Sequence, residues 1–327
     1  MRVKKVIKEW LKRAIPRGLV EFVYPWTQRG LAKENGLGIS VDESFVTISR
    51  DRDRILLSRR HPAYIADVLR GFDYYFQAVS PAVVGDLRVI DCSAPKCHAV
   101  VGYTTMPVMF ASLAEPIVTA QQYVEFAGLR RGHVVLDLGA YSGLTAMVFA
   151  EAVGPGGGVV ALEADPKNFE TCEYNICRFN ALTAKSGAAR VELMFAAAWS
   201  DCDGILLSSE GSMGSGFDGI LGSARGDLVR VPSRTLTEIA GMHGLERVDF
   251  VKCDIEGAEV EVFKDQEFLH KFRPRIIVET HEVGGDDSGR LVVAQLERLG
   301  YACTRAGSQR HDPWLLECVP TGTEGFA

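Results

Sequence analysis

The chain of 327 residues is long enough for one large domain or for one and a half to two ordinary ones. Its 47% hydrophobic and 24% charged residues are those of a globular protein with a full core, and a net charge of -6 argues against a general binder of nucleic acid. Cysteines 92, 97, 172, 177, 202, 253, 303 and 318 are scattered through apolar runs and read as reduced, buried thiols in a cytoplasmic setting; Cys92, Cys97 and His98 lack a second ligand pair at zinc spacing.

Residues 1–15 set Val3, Val6, Ile7, Trp10, Leu11, Ala14 and Ile15 at helical spacing, with Arg2, Lys4, Lys5, Lys8, Lys12 and Arg13 on the other face, and Pro16 ends the run. The segment is too short to span a bilayer. It is expected either to lie on an anionic membrane surface or to pack on its own domain or on a second subunit, as in a homodimer. Residues 37–58 alternate in short runs, which predicts a β-hairpin or small sheet. After His61-Pro62 the aromatic-rich AYIADVLRGFDYYFQAV predicts a helix, LRVIDCS and HAVVGYT two strands, and PIVTAQQYVEFAGL a further helix. Residues 17–112 thus read as an α+β accessory module that shapes a substrate pocket, 113–320 as a cofactor domain and 321–327 as a flexible tail.

The stretch from His133 to Asp165 reads as a βαβ unit, with glycines at its first turn and Glu163 at the tip of its second strand. Glycines let the backbone approach a ligand, the helix start offers free N–H groups, and an acid after the second strand can accept bonds from a ribose diol. Gly139-x-x-x-Gly143, with Tyr141 where a dinucleotide fold wants a middle glycine, disfavours a nicotinamide-dependent oxidoreductase. Asp137, ahead of the loop, can bear on the amino-acid end of a cofactor that has no pyrophosphate.

Asp165-Pro166 opens the next helix, and a third strand ends at Ala197, Ala198 and Trp199, which can flank a purine ring. The glycine-rich stretch 203–227 is expected as a flexible flap beside the site or as a surface excursion. A fourth strand, 248–253, leads into Asp254-Ile-Glu256-Gly-Ala-Glu259 and a helix to His270. The fifth, 275–280, ends at His281-Glu282. After the helix SGRLVVAQLERL come two strands, YACTRA and WLLECV, whose short loop requires them to be antiparallel.

Ligands of an open parallel sheet bind at the carboxyl ends of its strands, where Asp254, Glu256, Glu279 and His281 emerge. For activation of a hydroxyl as a nucleophile, Asp254 or His281 can take the proton, or the carboxylates and imidazole can hold a divalent cation that polarises the hydroxyl. No residue is assigned to a metal on sequence grounds. The structural alternative is that Glu256 and Glu259 favour a helix N-terminus and that His281 caps structure.

DLGAYSG, VVALEADPKNFETCEYN, VPSRTLTEI, VDFVKCDIEGAEVEVF and RPRIIVETH, in that order over about residues 115–282, resemble the FkbM-type methyltransferases, which depend on S-adenosylmethionine (SAM). The resemblance implies a Rossmann-like class I α/β fold, a seven-stranded sheet ending in an antiparallel C-terminal hairpin. It also implies O-methylation of a sugar, glycan or polyketide-like hydroxyl, with S-adenosylhomocysteine as product. The cofactor set is then Asp137, Gly139, Ala140, Tyr141, Ser142, Gly143, Glu163, Ala164, Ala198 and Asp254, and the reaction end Asp254, Glu256 and His281. The alternative is a non-catalytic nucleoside-binding scaffold docked through residues 1–15, for which an intact cluster of acids and histidine has no use.

Overall fold

A computed structural model describes residues 23–185, 187–217, 226–283, 286–306 and 315–322. The basic helix expected over 1–15 and the last five residues of the tail lie outside the described residues. Two compact units are present, one running to Ile117 and including Glu210–Met213, the other made of the remainder. No helix among the described residues is long and apolar enough to cross a membrane.

In the first unit, helix α1 (Arg29–Glu34) precedes strands β1 (Gly38–Val41), β2 (Phe45–Arg50) and β3 (Asp53–Ser58), an antiparallel meander. β5 (Leu87–Cys92) lies parallel to β3, with β4 (Ala82–Val84) on the edge, so the sheet has the order β1-β2-β3-β5-β4. The period-two alternation that marks these strands sends Val46 and Ile48 of β2, Ile55 and Leu57 of β3, and Ile90 and Cys92 of β5 into the core. A parallel β3–β5 pair needs a crossover. It is supplied by α2 (Ala63–Arg70) and α3 (Phe72–Ala78), which are two helices and not the single one expected, because Gly71 leaves helical geometry between them. HAVVGYT is likewise not a strand. Only β6 (Lys96–His98) pairs, with β7 (Val108–Phe110), after which Val100 makes one isolated bridge to Val79 and Gly102, at φ +86°, turns the chain. The segment Glu210–Met213 belongs to this unit through His61, whose Nε2 lies 3.0 Å from the Glu210 carbonyl, and Tyr64, whose hydroxyl accepts the Met213 N–H at 2.6 Å.

In the second unit α4 (Ile117–Ala127) leads to β8 (Val134–Leu138), α5 (Leu144–Val153), β9 (Gly158–Glu163), α6 (Pro166–Thr183) and β10 (Val191–Phe195). After α7 (Leu236–Met242) come β16 (Phe250–Cys253), α8 (Glu259–Val262), α9 (Gln266–Phe272), β17 (Arg275–Glu279), α10 (Ser288–Arg298), β20 (Tyr301–Arg305) and β21 (Leu315–Pro320). These strands form a seven-stranded sheet of order β10-β9-β8-β16-β17-β21-β20. The first five run parallel, and β21 is antiparallel to both its neighbours, as the short closing connection requires. Strands covered on both faces read as unbroken apolar runs. Leu136, Leu138, Val160, Leu162, Val251 and Val278 accordingly share one core with Leu236, Ile239 and Phe268 from the helices. The helix expected from Glu259 to His270 is divided, since Asp265 caps α9 by accepting the Phe268 N–H at 3.1 Å and also holds Thr237.

The described residues of the glycine-rich stretch 203–227 include short strands. β12 (Ile205–Ser209) pairs antiparallel with β13 (Gly216–Phe217) and with β14 (Asp227–Val231), and residues 218–225 lie outside the described residues. Alongside, β11 (Ala197–Ala198) pairs in parallel with β15 (Ser233–Arg234). A short antiparallel pair, β18 (Glu282–Val283) and β19 (Asp286–Asp287), follows β17.

Candidate active site

Registers along the sheet put the chemistry-bearing positions in one row. Leu138 pairs with Leu162 on one side and with Cys253 on the other, and Cys253 pairs with Val278. One residue further on, Glu163, Gly139, Asp254 and Glu279 therefore leave four adjacent parallel strands at the same level. The strand order reverses between β8 and β16, so the row crosses the switch point where open α/β sheets bind ligands.

At the β8 end the turn is held by main chain. Gly139 and Ala140 both donate to the Leu162 carbonyl, at 3.0 and 2.8 Å. Gly139 has φ +81°, and a Cβ there would lie 1.9 Å from the Asp254 carbonyl oxygen, so only glycine lets the two strand ends approach. Tyr141 adopts a left-handed φ of 49°, and its N–H donates to Glu163 Oε2 at 2.7 Å, while Asp165 N–H donates to Glu163 Oε1 at 2.8 Å. Burial pushes the Glu163 carboxyl up to about 7, against the two N–H bonds that draw it down. Asp165 caps α6 and accepts from Ser209 Oγ at 3.0 Å and Ser215 Oγ at 2.5 Å, which ties the glycine-rich stretch to this corner.

Beneath the turn lies a group that sequence reasoning passed over. Lys252 pairs across β16 and β8 with Asp137, and its ammonium sits 3.3 Å from the Asp137 carboxylate, 3.7 Å from Asp254 and 2.6 Å from the Gly139 carbonyl. Apart from that ammonium, neither Asp137 oxygen has a hydrogen-bond partner among the described residues. Burial raises the Asp137 pKa and the neighbouring ammonium pulls it back. The signal was present in the sequence, as one cation inside the apolar run Val251-Lys252-Cys253 of a strand buried on both faces.

At the β16–β17 end the contacts run between side chains. His281 Nδ1 lies 2.7 Å from Oε1 of the fully buried Glu259, and its Nε2 lies 3.7 Å from Glu256 Oε1. The His281 N–H donates to Ser288 Oγ at 3.0 Å. Burial alone would lower the imidazole pKa, but the Glu259 hydrogen bond and the fields of Glu256, Glu259 and Asp254 outweigh it and raise it to about 10. These acids favour the imidazolium form of His281. One ligand atom each of Asp254, Glu279 and His281 lies within 4.8 Å of the others.

Of the expected cofactor residues, Gly139, Ala164 and Asp254 are half-buried, and Glu163 is buried at the tip of β9. Ser142 is fully buried, with Oγ accepting the Leu144 N–H at 3.2 Å, and the Tyr141 side chain is buried as well, because the tight turn directs both inward. Ala140, Gly143 and Ala198 are buried, Gly143 against Cys172 and Ile176 of α6 and Ala198 in the core.

The methyltransferase FkbM domain pattern matches residues 137–303, from the acid below the turn to the first strand of the closing hairpin, which is just over half of the chain. The chain belongs to the methyltransferase FkbM family. Among solved structures similar to this family member, a methyltransferase FkbM from Methylobacillus flagellatus KT is 14% identical, with a TM-score of 0.41, over 79% of this chain and 61% of that one. A precorrin-6y C5,15-methyltransferase from Geobacter metallireducens GS-15 is 15% identical, with a TM-score of 0.37, over 63% and 88%. An O-methyltransferase from Bacillus cereus, in complex with S-adenosylhomocysteine, is 20% identical, with a TM-score of 0.34, over 62% and 79%. No curated protein matches this FkbM-family chain.

Proposed function

We propose that this methyltransferase uses SAM to methylate a hydroxyl of a sugar, glycan or polyketide-like metabolite. The observation that carries the reading is the level row of Glu163, Gly139, Asp254 and Glu279 across the switch point, with a ribose-type acceptor at one end and acids at the other. The residues present fit the cofactor. Glu163 spends one lone pair per oxygen on N–H donors and retains others for a diol, and Gly139, lacking a side chain, lets the Asp254 end of β16 close against the turn. When bound, SAM supplies an electrophilic methyl group on a sulfonium.

The chain's own part is orientation and proton removal. A neutral alcohol is a weak nucleophile, and Asp254, half-exposed beside the row, is the carboxylate that takes its proton. Lys252 fixes the Gly139 carbonyl and faces both Asp137 and Asp254, so the turn and the base are held by one ammonium. His281, kept cationic, lowers the cost of negative charge on the acceptor oxygen.

The test is transfer of labelled methyl from SAM to a panel of sugars, glycan fragments and polyketide-like alcohols, with binding of S-adenosylhomocysteine followed by calorimetry. Asp254→Asn is expected to bind the product with unchanged affinity and to lose roughly 10²- to 10⁴-fold in kcat. A wild-type protein that binds neither SAM nor its product would overturn the reading.

A further inference from the structure

The cluster at the ends of β16 and β17 has more carboxylates than the methyl transfer uses. Asp254, Glu256, Glu259 and Glu279 stand around His281, and the Lys252 ammonium 3.7 Å from Asp254 also faces Asp137 at 3.3 Å. We propose that Asp254, Glu279 and His281 form a binding site for a divalent cation of the manganese type, placed to take an acceptor hydroxyl oxygen as a further ligand. The proposal rests on the methyltransferase reading of this site for its purpose, and on geometry for its existence.

Three features of the fold bring the donors together. Cys253 and Val278 are register partners, so Asp254 and Glu279 leave neighbouring strands side by side. His281 stands two residues beyond Glu279, and alternate residues of extended chain share a face. The resulting ligand atoms lie within 4.8 Å of one another, whereas ligands held at roughly 2.0–2.2 Å from a common cation stand about 3–4.4 Å apart. Small side-chain rotations close that gap.

The histidine is also set up from behind. Glu259 is fully buried, its Oε1 lies 2.7 Å from His281 Nδ1, and its Oε2 has no partner among the described residues. Metal-binding imidazoles are commonly braced in this manner, with one ring nitrogen on a carboxylate and the other turned to the ion. Here the other nitrogen, Nε2, faces Glu256 at 3.7 Å. A cation displaces the Nε2 proton, and the acids that favour the proton favour the cation as well. Two carboxylates and one imidazole suit manganese and its first-row neighbours better than magnesium, which prefers oxygen ligands alone. Asp254, Glu279 and His281 are each half-buried, which leaves room for water or a substrate oxygen on the ion. A cation so placed polarises a hydroxyl and lowers its pKa, taking over the role of the His281 positive charge, and the proton passes to the uncoordinated oxygen of Asp254.

The experiment titrates Mn²⁺ into the full chain without SAM, following loss of the free-ion electron paramagnetic resonance signal. One ion per chain is expected, with binding weakened at least tenfold in His281→Ala and in Glu279→Gln, 10- to 100-fold in Glu259→Gln, and unchanged in Asp73→Asn of the first unit. Where a variant does not fold, the wild-type protein still answers, because Mn²⁺ at this site broadens the ring resonances of His281 ahead of those of His98 and His133. Equal binding by wild type, His281→Ala and Glu279→Gln, or broadening that spares His281, overturns the proposal. Binding of S-adenosylhomocysteine is measured separately. Mn²⁺ held with no affinity for the nucleoside leaves the cation site and removes the methyltransferase reading; the reverse result does the opposite.

Discussion

At Glu163 both carboxylate oxygens are taken by main-chain N–H groups, from Tyr141 and Asp165, whereas at His281 both ring nitrogens face ionisable side chains, Glu259 and Glu256. The two ends of one row are therefore built from different material. The β8–β9 end is fixed by backbone geometry, with main-chain N–H groups holding the carboxylate in place. The β16–β17 end is a balance of charges that pH, a cation or a single substitution can move. A cofactor shared across a family calls for the first kind of site, and an acceptor with its own chemistry for the second.

The comparison is broken most severely at Gly139. Gly139→Ala drives a Cβ into the Asp254 carbonyl and is expected to cost more than about 4 kcal/mol and abolish binding of S-adenosylhomocysteine. Chemical denaturation and calorimetry read both effects, and a variant that unfolds like the wild type would show that the strand ends do not meet there. Lys252→Met leaves Asp137 buried beside no cation, an expected loss of about 3–5 kcal/mol, most of it recovered in the double variant with Asp137→Asn. An additive pair would deny the contact.

Gentler changes sharpen the contrast. Glu259→Gln removes the strongest support of the imidazolium, so the His281 pKa, followed by NMR, should fall from about 10 toward its ordinary 6.5, with a stability loss of roughly 1–3 kcal/mol. If the pKa stays near 10, Glu256 and Asp254 carry the effect instead. The smallest effects are pH windows. The folded pKa of His281 lies above the ordinary value, so its contribution to stability is complete below 6.5 and is lost as pH rises to about 10. Glu163 is also raised, so its contribution is complete below 4.5 and is lost by about 7. Affinity for a ribose diol should rise over that lower window as the carboxylate ionises. Melting and binding curves against pH, with His281→Gln and Glu163→Gln each erasing one window, assign the two groups.

The amino-acid sequence by itself determined the βαβ unit, the glycine turn, the acid at the tip of β9 and the antiparallel end of the sheet, because each follows from local spacing. Strand period fixes which residues point together, a short connection forces antiparallel pairing, and a glycine is legible wherever the chain must turn tightly. Tertiary structure alone decided the rest. Lys252 acquires its role only when β16 lies beside β8 and its cross-strand neighbour is Asp137. Glu259 read locally as an acid at a helix start, and the distance to His281 made it the brace that keeps the imidazole charged. The turn at Tyr141 and Ser142 was visible, but not that its geometry buries both side chains. Nothing local indicated that β12 and β14 would pair across the glycine-rich stretch, or that two serines there would reach Asp165. Periodicity reports a residue's own element, whereas charge pairing, burial and register depend on which element arrives beside it, and that is settled only when the sheet closes.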